Sequence, residues 1–274
     1  MQVIATVAEL RQRLAAETSI AFVPTMGNLH EGHLDLVRVA REKGRCVVVS
    51  IFVNPLQFGA NEDFGRYPRT LQADCARLEG LADIVFAPDA NELYPQPQQV
   101  TIVPPLENDL CGAFRPGHFR GVATVVTKLL NLVQPQIAVF GKKDYQQLFV
   151  IRQTVAQLNM PIEILGAETA RAPDGLALSS RNQYLNAGER ADAVFLHQTL
   201  AALRQAILNG ARDFPTLERD AAAALVARGW RVDYVAVRAQ RDLLPPTLDE
   251  NEWVVLAAAW LGQTRLIDNL EVCI

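Results

Sequence analysis

The run Cys46-Val47-Val48-Val49-Ser50-Ile51-Phe52-Val53 carries apolar side chains at odd and even positions alike, a pattern that suits a strand covered on both faces. Runs of similar character stand at 20–24, 83–87, 136–140 and 161–166, separated by helical patterns at about 32–43, 70–80, 120–133 and 144–158. Two-sided strands that alternate with helices predict a doubly wound parallel sheet, an α/β domain. Thr6 with Glu9 reads as a capping box for a short first helix that buries Leu10 and Leu14. Pro95, Pro97, Pro104 and Pro105 make the stretch between them a loop excursion. From about residue 168 the alternation stops. Pro173-Asp174-Gly175 turns the chain, Ala-rich helices are expected near 187–208 and 216–228, and strands near 231–237, 252–259 and 264–270. The expected organisation is a Rossmann-like domain over 1–167 and a smaller α+β domain over 168–274, suited to a lid.

Composition narrows the function classes. With 274 residues, half of them hydrophobic (50%) and 20% charged, the chain can bury a sizeable core. A net charge of −4 provides no broad basic field, so nucleic acid is not an expected partner. No uncharged apolar run is long enough to span a bilayer, and no basic segment followed by an apolar core marks export. Cys46, Cys75, Cys111 and Cys273 are scattered without a CxxC pair, which suits reduced thiols and a cytoplasmic location.

The chemistry concentrates at turns that follow strands. In Pro24-Thr25-Met26-Gly27-Asn28-Leu29-His30-Glu31-Gly32-His33, two imidazoles stand one helical turn apart where strand 20–24 gives way to a helix near Gly32. A helix N-terminus offers unpaired N–H groups and the positive end of its dipole, so this turn favours an anion, and His30 and His33 add donors. Metal ligation finds no further ligands nearby, and His33-Leu34 stands where a P-loop needs Lys followed by Ser or Thr. Two exposed histidines at an ordinary turn are the plainer alternative.

Three further segments stand out. Phe52 to Gly59 leaves a strand with Gln57, whose amide can bind a carboxylate and a hydroxyl unless it is simply a wet turn residue. Gly141-Lys142-Lys143-Asp144 opens the next helix, with Gln147 one turn on. Lys143 can place a charge on phosphate, Asp144 doubles as a helix cap, and Lys142 is expected to face solvent. Leu178-Ser179-Ser180-Arg181 sits at the proposed domain boundary, where two hydroxyls and a guanidinium can grip a triphosphate or merely form a Ser-rich surface turn.

Taken in order, PTMGNLHEGH, SIFVNPLQFGA, RPGHFRGV, DYQQL and LSSRN resemble the pantothenate synthetase (pantoate–β-alanine ligase) family of the HxGH nucleotidylyltransferase superfamily across nearly the whole chain. The resemblance implies a Rossmann-like fold of nucleotidylyltransferase type. It implies ATP-dependent condensation of (R)-pantoate with β-alanine through pantoyl adenylate, with AMP and pyrophosphate released, Mg²⁺ carried on ATP, no metal held by the protein alone, and a homodimer. It assigns Met26, Gly27, Asn28, Leu29, His30, Glu31, Gly32 and His33 to ATP, with His33 as proton donor and His30 beside it on the phosphates. Gly141, Lys142, Lys143, Asp144, Ala170 (through its backbone), Leu178, Ser179, Ser180 and Arg181 are likewise assigned to ATP, with Lys143 and Arg181 supplying most of the charge. Gln57 is assigned to pantoate and β-alanine, and Gln147 to pantoate. One position departs from the family: Lys142 stands where Glu is common. Spacing assigns no role to Arg115, His118 or Arg120.

Overall fold

The computed structural model describes residues 1–59, 62–247 and 249–274, which divide into two compact units. The first comprises residues 1–141 and 150–168, and the second residues 142–149 and 169–274.

In chain order the first part runs β1 (Gln2–Ile4), α1 (Val7–Leu14), β2 (Ile20–Thr25), α2 (Glu31–Lys43), β3 (Cys46–Ile51) and α3 (Leu71–Leu78). It continues with β4 (Ile84–Phe86), α4 (Ala90–Leu93), α5 (Cys111–Phe114), α6 (His118–Val133), β5 (Ile137–Gly141), α7 (Tyr145–Gln157) and β6 (Glu163–Ala167). The six strands form one parallel sheet in the order β1-β4-β3-β2-β5-β6. Val47, Val48 and Val49 are fully buried, as a strand packed on both faces requires. Thr6 caps α1 by accepting from Glu9 N at 3.3 Å. β1 is an addition to the strands expected from sequence, because three residues are too few to display a period. β3 is also shorter than its apolar run: it ends at Ile51, and Phe52 to Asn54 lead into a 3₁₀ turn at Pro55–Gln57.

β2 has β3 on one side and β5 on the other, so the order of strands reverses there. In open α/β sheets ligands gather beyond the carboxyl ends of strands at such a switch point. The segment from Met26 to His33 leaves β2 at that end.

The second unit holds α8 (Ala187–Asp192), α9 (Val194–Leu208), α10 (Phe214–Ala227) and an antiparallel sheet of β7 (Arg231–Ala239), β8 (Glu252–Leu261) and β9 (Thr264–Cys273) in that order. The single helix expected over 187–208 breaks at Ala193, and Asn186 with Glu189 forms a capping box for its first piece. Leu200, Leu203, Val237, Trp253, Val255 and Ala257 share one apolar core. Among the described residues no helix is long and apolar enough to cross a membrane. All four cysteines are thiols, and burial pushes that of Cys46 up to about 11, which makes it a packing residue.

Candidate active site

In the first unit, the turn after β2 is built on unusual backbone angles held by one carboxylate. Gly27 has φ +83° and Asn28 φ +51°, both in the left-handed region. Asp74, on α3 and 2% exposed, accepts from Asn28 N at 2.9 Å and Leu29 N at 2.7 Å, and from Thr70 Oγ1 at 3.1 Å. A Cβ at position 27 would lie 3.0 Å from Asp74 Oδ2 and from Ile51, so glycine also makes room for the support. Asp74 is a site residue that sequence reading missed. It lies forty-six positions from Asn28, and no local pattern marks a carboxylate whose task is to hold a distant turn.

α2 starts at Glu31, with His30 at its cap. The rings of His30 and His33 lie 4.1 Å apart between centroids. His30 N donates to His33 Nδ1 at 3.2 Å, so Nδ1 is an acceptor and the proton of the neutral ring resides on Nε2. Glu31 points elsewhere, to Arg77 at 3.0 Å and Arg38 at 3.3 Å. The hydrogen bonds of Arg38, and then of Arg77, hold its carboxyl below the ordinary range.

Gln57 lies beside this turn. Its Nε2 is 3.1 Å from Met26 Sδ, and the residue is 8% exposed. The orientation of the amide follows from its neighbours. Asn54 accepts at Oδ1 from Tyr94 OH at 2.8 Å and Leu56 N at 3.3 Å, and donates from Nδ2 to Gly121 O at 3.2 Å and Gln57 Oε1 at 3.1 Å. A carbonyl can only accept, so Asn54 is fixed and Gln57 turns its oxygen toward it. Burial pushes the Tyr94 phenol up, keeping its proton for this bond. Gln57 therefore presents N–H donors on the Met26 side.

The RPGHFRGV segment supports the same turn. Arg115 Nη1 lies 2.9 Å from His118 Nε2, and His118 Nδ1 lies 2.8 Å from Gln57 O. A guanidinium only donates, so Nε2 accepts and Nδ1–H donates to the Gln57 carbonyl. Arg115 is bidentate on Glu62, with both bonds at 2.7 Å. Burial raises the Glu62 carboxyl, but the hydrogen bonds and charge of Arg115 outweigh it and leave the group lowered. Arg120 pairs with Glu107 at 2.7 Å on the surface. α6 approaches closely because Gly121 has no side chain: a Cβ there would lie 2.7 Å from Gln57 Cα.

In the second unit, Lys142, Lys143 and Asp144 form a 3₁₀ turn that leads into α7, which carries Gln147. Lys143 Nζ is 3.7 Å from Asp144 Oδ2. The expectation that Lys142 faces solvent is overturned: its side chain is 19% exposed and its Nζ lies 2.8 Å from Glu271 Oε2. The reason is a strand more than a hundred residues away, since β9 sets Glu271 against the turn. Leu178 N donates to Ala170 O at 2.9 Å, which brings those two residues together, and Ser179 Oγ accepts from Arg181 N at 3.2 Å to start the following turn. Behind them Arg171 is bidentate on Asp268 at 2.7 and 2.8 Å, and His197 Nδ1 lies 3.3 Å from the same carboxylate. Burial raises the Asp268 carboxyl, yet His197 and Arg171 together hold it lowered. Among the described residues no group of three or more His, Cys, Asp and Glu could hold a metal ion.

Paired imidazoles thus stand at the switch point of a parallel sheet, with an oriented amide beside them. The family model for pantoate–β-alanine ligase matches residues 2–271. The chain belongs to the pantoate–β-alanine ligase family. It is similar to the pantothenate synthetase of Thiobacillus denitrificans, 60% identical over 275 residues that cover 99% of this chain and 97% of that protein. It is 57% identical to that of Methylobacillus flagellatus over 273 residues, with 99% and 98% covered. Among solved structures, the pantoate–β-alanine ligase of Thermus thermophilus is similar at TM-score 0.95 and 46% identity, over 100% of both chains. The family member from Francisella tularensis, complexed with β-γ ATP and β-alanine, is similar at TM-score 0.83 and 33% identity, over 98% of this chain and 97% of that one.

Proposed function

We infer that the protein is an ATP-dependent ligase that joins pantoate to β-alanine to give pantothenate, with the pantoate carboxylate first converted to an acyl adenylate. A free carboxylate is a poor acyl donor because oxide would have to leave. Attack by a carboxylate oxygen on the α-phosphorus of ATP forms the acyl–phosphate bond and expels pyrophosphate. The amine of β-alanine then attacks the carbonyl carbon and expels AMP, which keeps that oxygen. The protein has only to align the reactants and stabilise charge on phosphate oxygens, without a covalent nucleophile of its own.

The observation that carries this reading is the contact of the Gln57 amide with Met26 at 3.1 Å, which sets donors for an organic acid against the turn assigned to the nucleotide. Gln57 donates to pantoate and, after adenylation, to β-alanine, and Gln147 is assigned to pantoate. His33 donates from Nε2 to the phosphates while its Nδ1 keeps the His30 N–H, and His30 lies alongside. Met26, Gly27, Asn28, Leu29 and Gly32 form the rest of that ATP turn. Glu31 contributes through its backbone, since its carboxylate is held by Arg38 and Arg77. Gly141, Lys143, Asp144, Ala170, Leu178, Ser179, Ser180 and Arg181 are also assigned to ATP, with Lys143 and Arg181 offsetting phosphate charge. Mg²⁺ accompanies ATP and neutralises its phosphates. A cytoplasmic location is proposed, and the assembly is proposed as a homodimer, to be read by sedimentation equilibrium.

A three-substrate assay tests the function. Labelled pyrophosphate exchanges into ATP when pantoate alone is added, and AMP accumulates only once β-alanine is present. Exchange driven by a phosphate ester in place of pantoate would overturn the assignment in favour of a nucleotidyltransferase that stops after its first step. Nucleotide binding without turnover under any combination would instead mark a sensor.

A further inference from the structure

Residues two apart on a strand share a face, and on β9 that arithmetic sets Asn269 and Glu271 side by side against the Lys142–Asp144 turn. Asn269 is 5% exposed, and its Nδ2 donates to two successive carbonyls, Lys142 O at 2.9 Å and Lys143 O at 2.8 Å. Because both partners can only accept, the amide has one possible orientation, and it fixes two adjacent peptide planes at once. Glu271 uses both oxygens on the same turn: Oε2 takes Lys142 Nζ at 2.8 Å and Oε1 takes Tyr145 OH at 2.8 Å. A carboxylate beside a turn meant for a triphosphate would repel it, and the ammonium of Lys142 cancels that charge.

We propose that Asn269 and Glu271 are positioning residues for ATP, which hold the turn so that Lys143 is aimed at the phosphates, while Lys142 is the tether of that turn and not a phosphate ligand. The proposal rests on the assignment of this turn to ATP made above. Lys142 and Lys143 are adjacent and identical in type, yet their surroundings differ. One is bound to a strand through a partly buried ion pair, and the other stands 3.7 Å from the neighbouring Asp144. The charge of Lys142 is already matched by Glu271, so Lys143 is the lysine of the pair with more positive charge left to offer a phosphate.

Steady-state kinetics and melting temperature, measured on the whole 274-residue chain, test the idea with four single variants and one double variant. Asn269→Ala is expected to raise the ATP KM about tenfold, the size of a lost hydrogen-bond pair at a charged site, with the KM values for pantoate and β-alanine unchanged. Lys142→Glu sets two carboxylates face to face and is expected to raise the ATP KM at least as much. Combining it with Glu271→Lys restores the pair with its signs exchanged, and should return the ATP KM toward the native value, a coupling that a double-mutant cycle reads directly. If Asn269→Ala fails to fold, the charge-exchange pair still decides the matter. Three results overturn the proposal: an unchanged ATP KM in Lys142→Glu, a charge exchange that folds but restores nothing, or KM values for all three substrates that rise together as the melting temperature falls. Lys143→Ala separates the two levels. If it leaves the ATP KM unchanged, the assignment of the turn to ATP falls, and the clamp with it; if it raises the ATP KM while Asn269→Ala and Lys142→Glu do not, only the clamp falls.

Discussion

Replacing Asp74 with alanine removes the acceptor of two backbone N–H groups in the turn that carries the imidazoles. Leu29 is 5% exposed, so its N–H would have no water to turn to, whereas Asn28 is only partly buried. An orphaned buried donor costs about 2 kcal/mol and a half-wet one about 1, giving roughly 3 kcal/mol of lost stability. For a unit of this size that corresponds to a fall in Tm of roughly 10 °C in a calorimetric scan. The kinetic effect has a separate origin. Asn28 holds φ +51°, a conformation that costs an L residue about 1–2 kcal/mol, and without Asp74 the turn relaxes away from it. The ATP KM should therefore rise about tenfold while the KM for β-alanine stays constant. Asp74→Asn keeps one acceptor and turns an NH₂ toward the second donor, so it should fall between the alanine variant and the native protein. A folded Asp74→Ala enzyme with native Tm and native ATP KM would refute the claim that this carboxylate shapes the nucleotide turn.

Gly121→Ala would bring a methyl group within 2.7 Å of Gln57 Cα, so loss of stability by a few kcal/mol, about 2–3, and a raised pantoate KM are expected; denaturant titration and kinetics check both. The Glu62 carboxyl sits below the 4.5 of an ordinary glutamate, so its pairing with Arg115 stabilises the fold above that value and is lost as pH falls through the lowered one. Urea unfolding of the native protein and Glu62→Gln should differ at neutral pH and converge in acid; a gap that widens in acid contradicts the sign. His33→Ala should lower kcat by orders of magnitude with little change in Tm, and near-native turnover would remove His33 from its proposed role.

The sheet was legible because its central strands are apolar on both faces, and the paired imidazoles because helical spacing makes their proximity local. Gln57 could be named as a candidate from its place after a strand and Asn28 through the family resemblance, but neither could be oriented. Asp74 holds Asn28 from 46 positions away, and Asn54, only three positions from Gln57, owes its own orientation to Tyr94, 40 positions on. Lys142 illustrates the limit most plainly. An exposed lysine at a turn is the sound expectation from adjacent residues alone, and only β9, 129 positions later, supplies the glutamate that draws it in. A strand of three residues such as β1 escapes notice for a different reason, as it is recognised by its pairing with β4 and not by any pattern of its own.

In this mechanism the acid is activated by attack of its own oxygen on the α-phosphorus. Pantoate carrying ¹⁸O in its carboxylate, turned over to completion with ATP and β-alanine and followed by mass spectrometry of the nucleotide, tests this directly. AMP should gain one labelled oxygen and pyrophosphate none. Unlabelled AMP, or label in pyrophosphate, would contradict this mechanism.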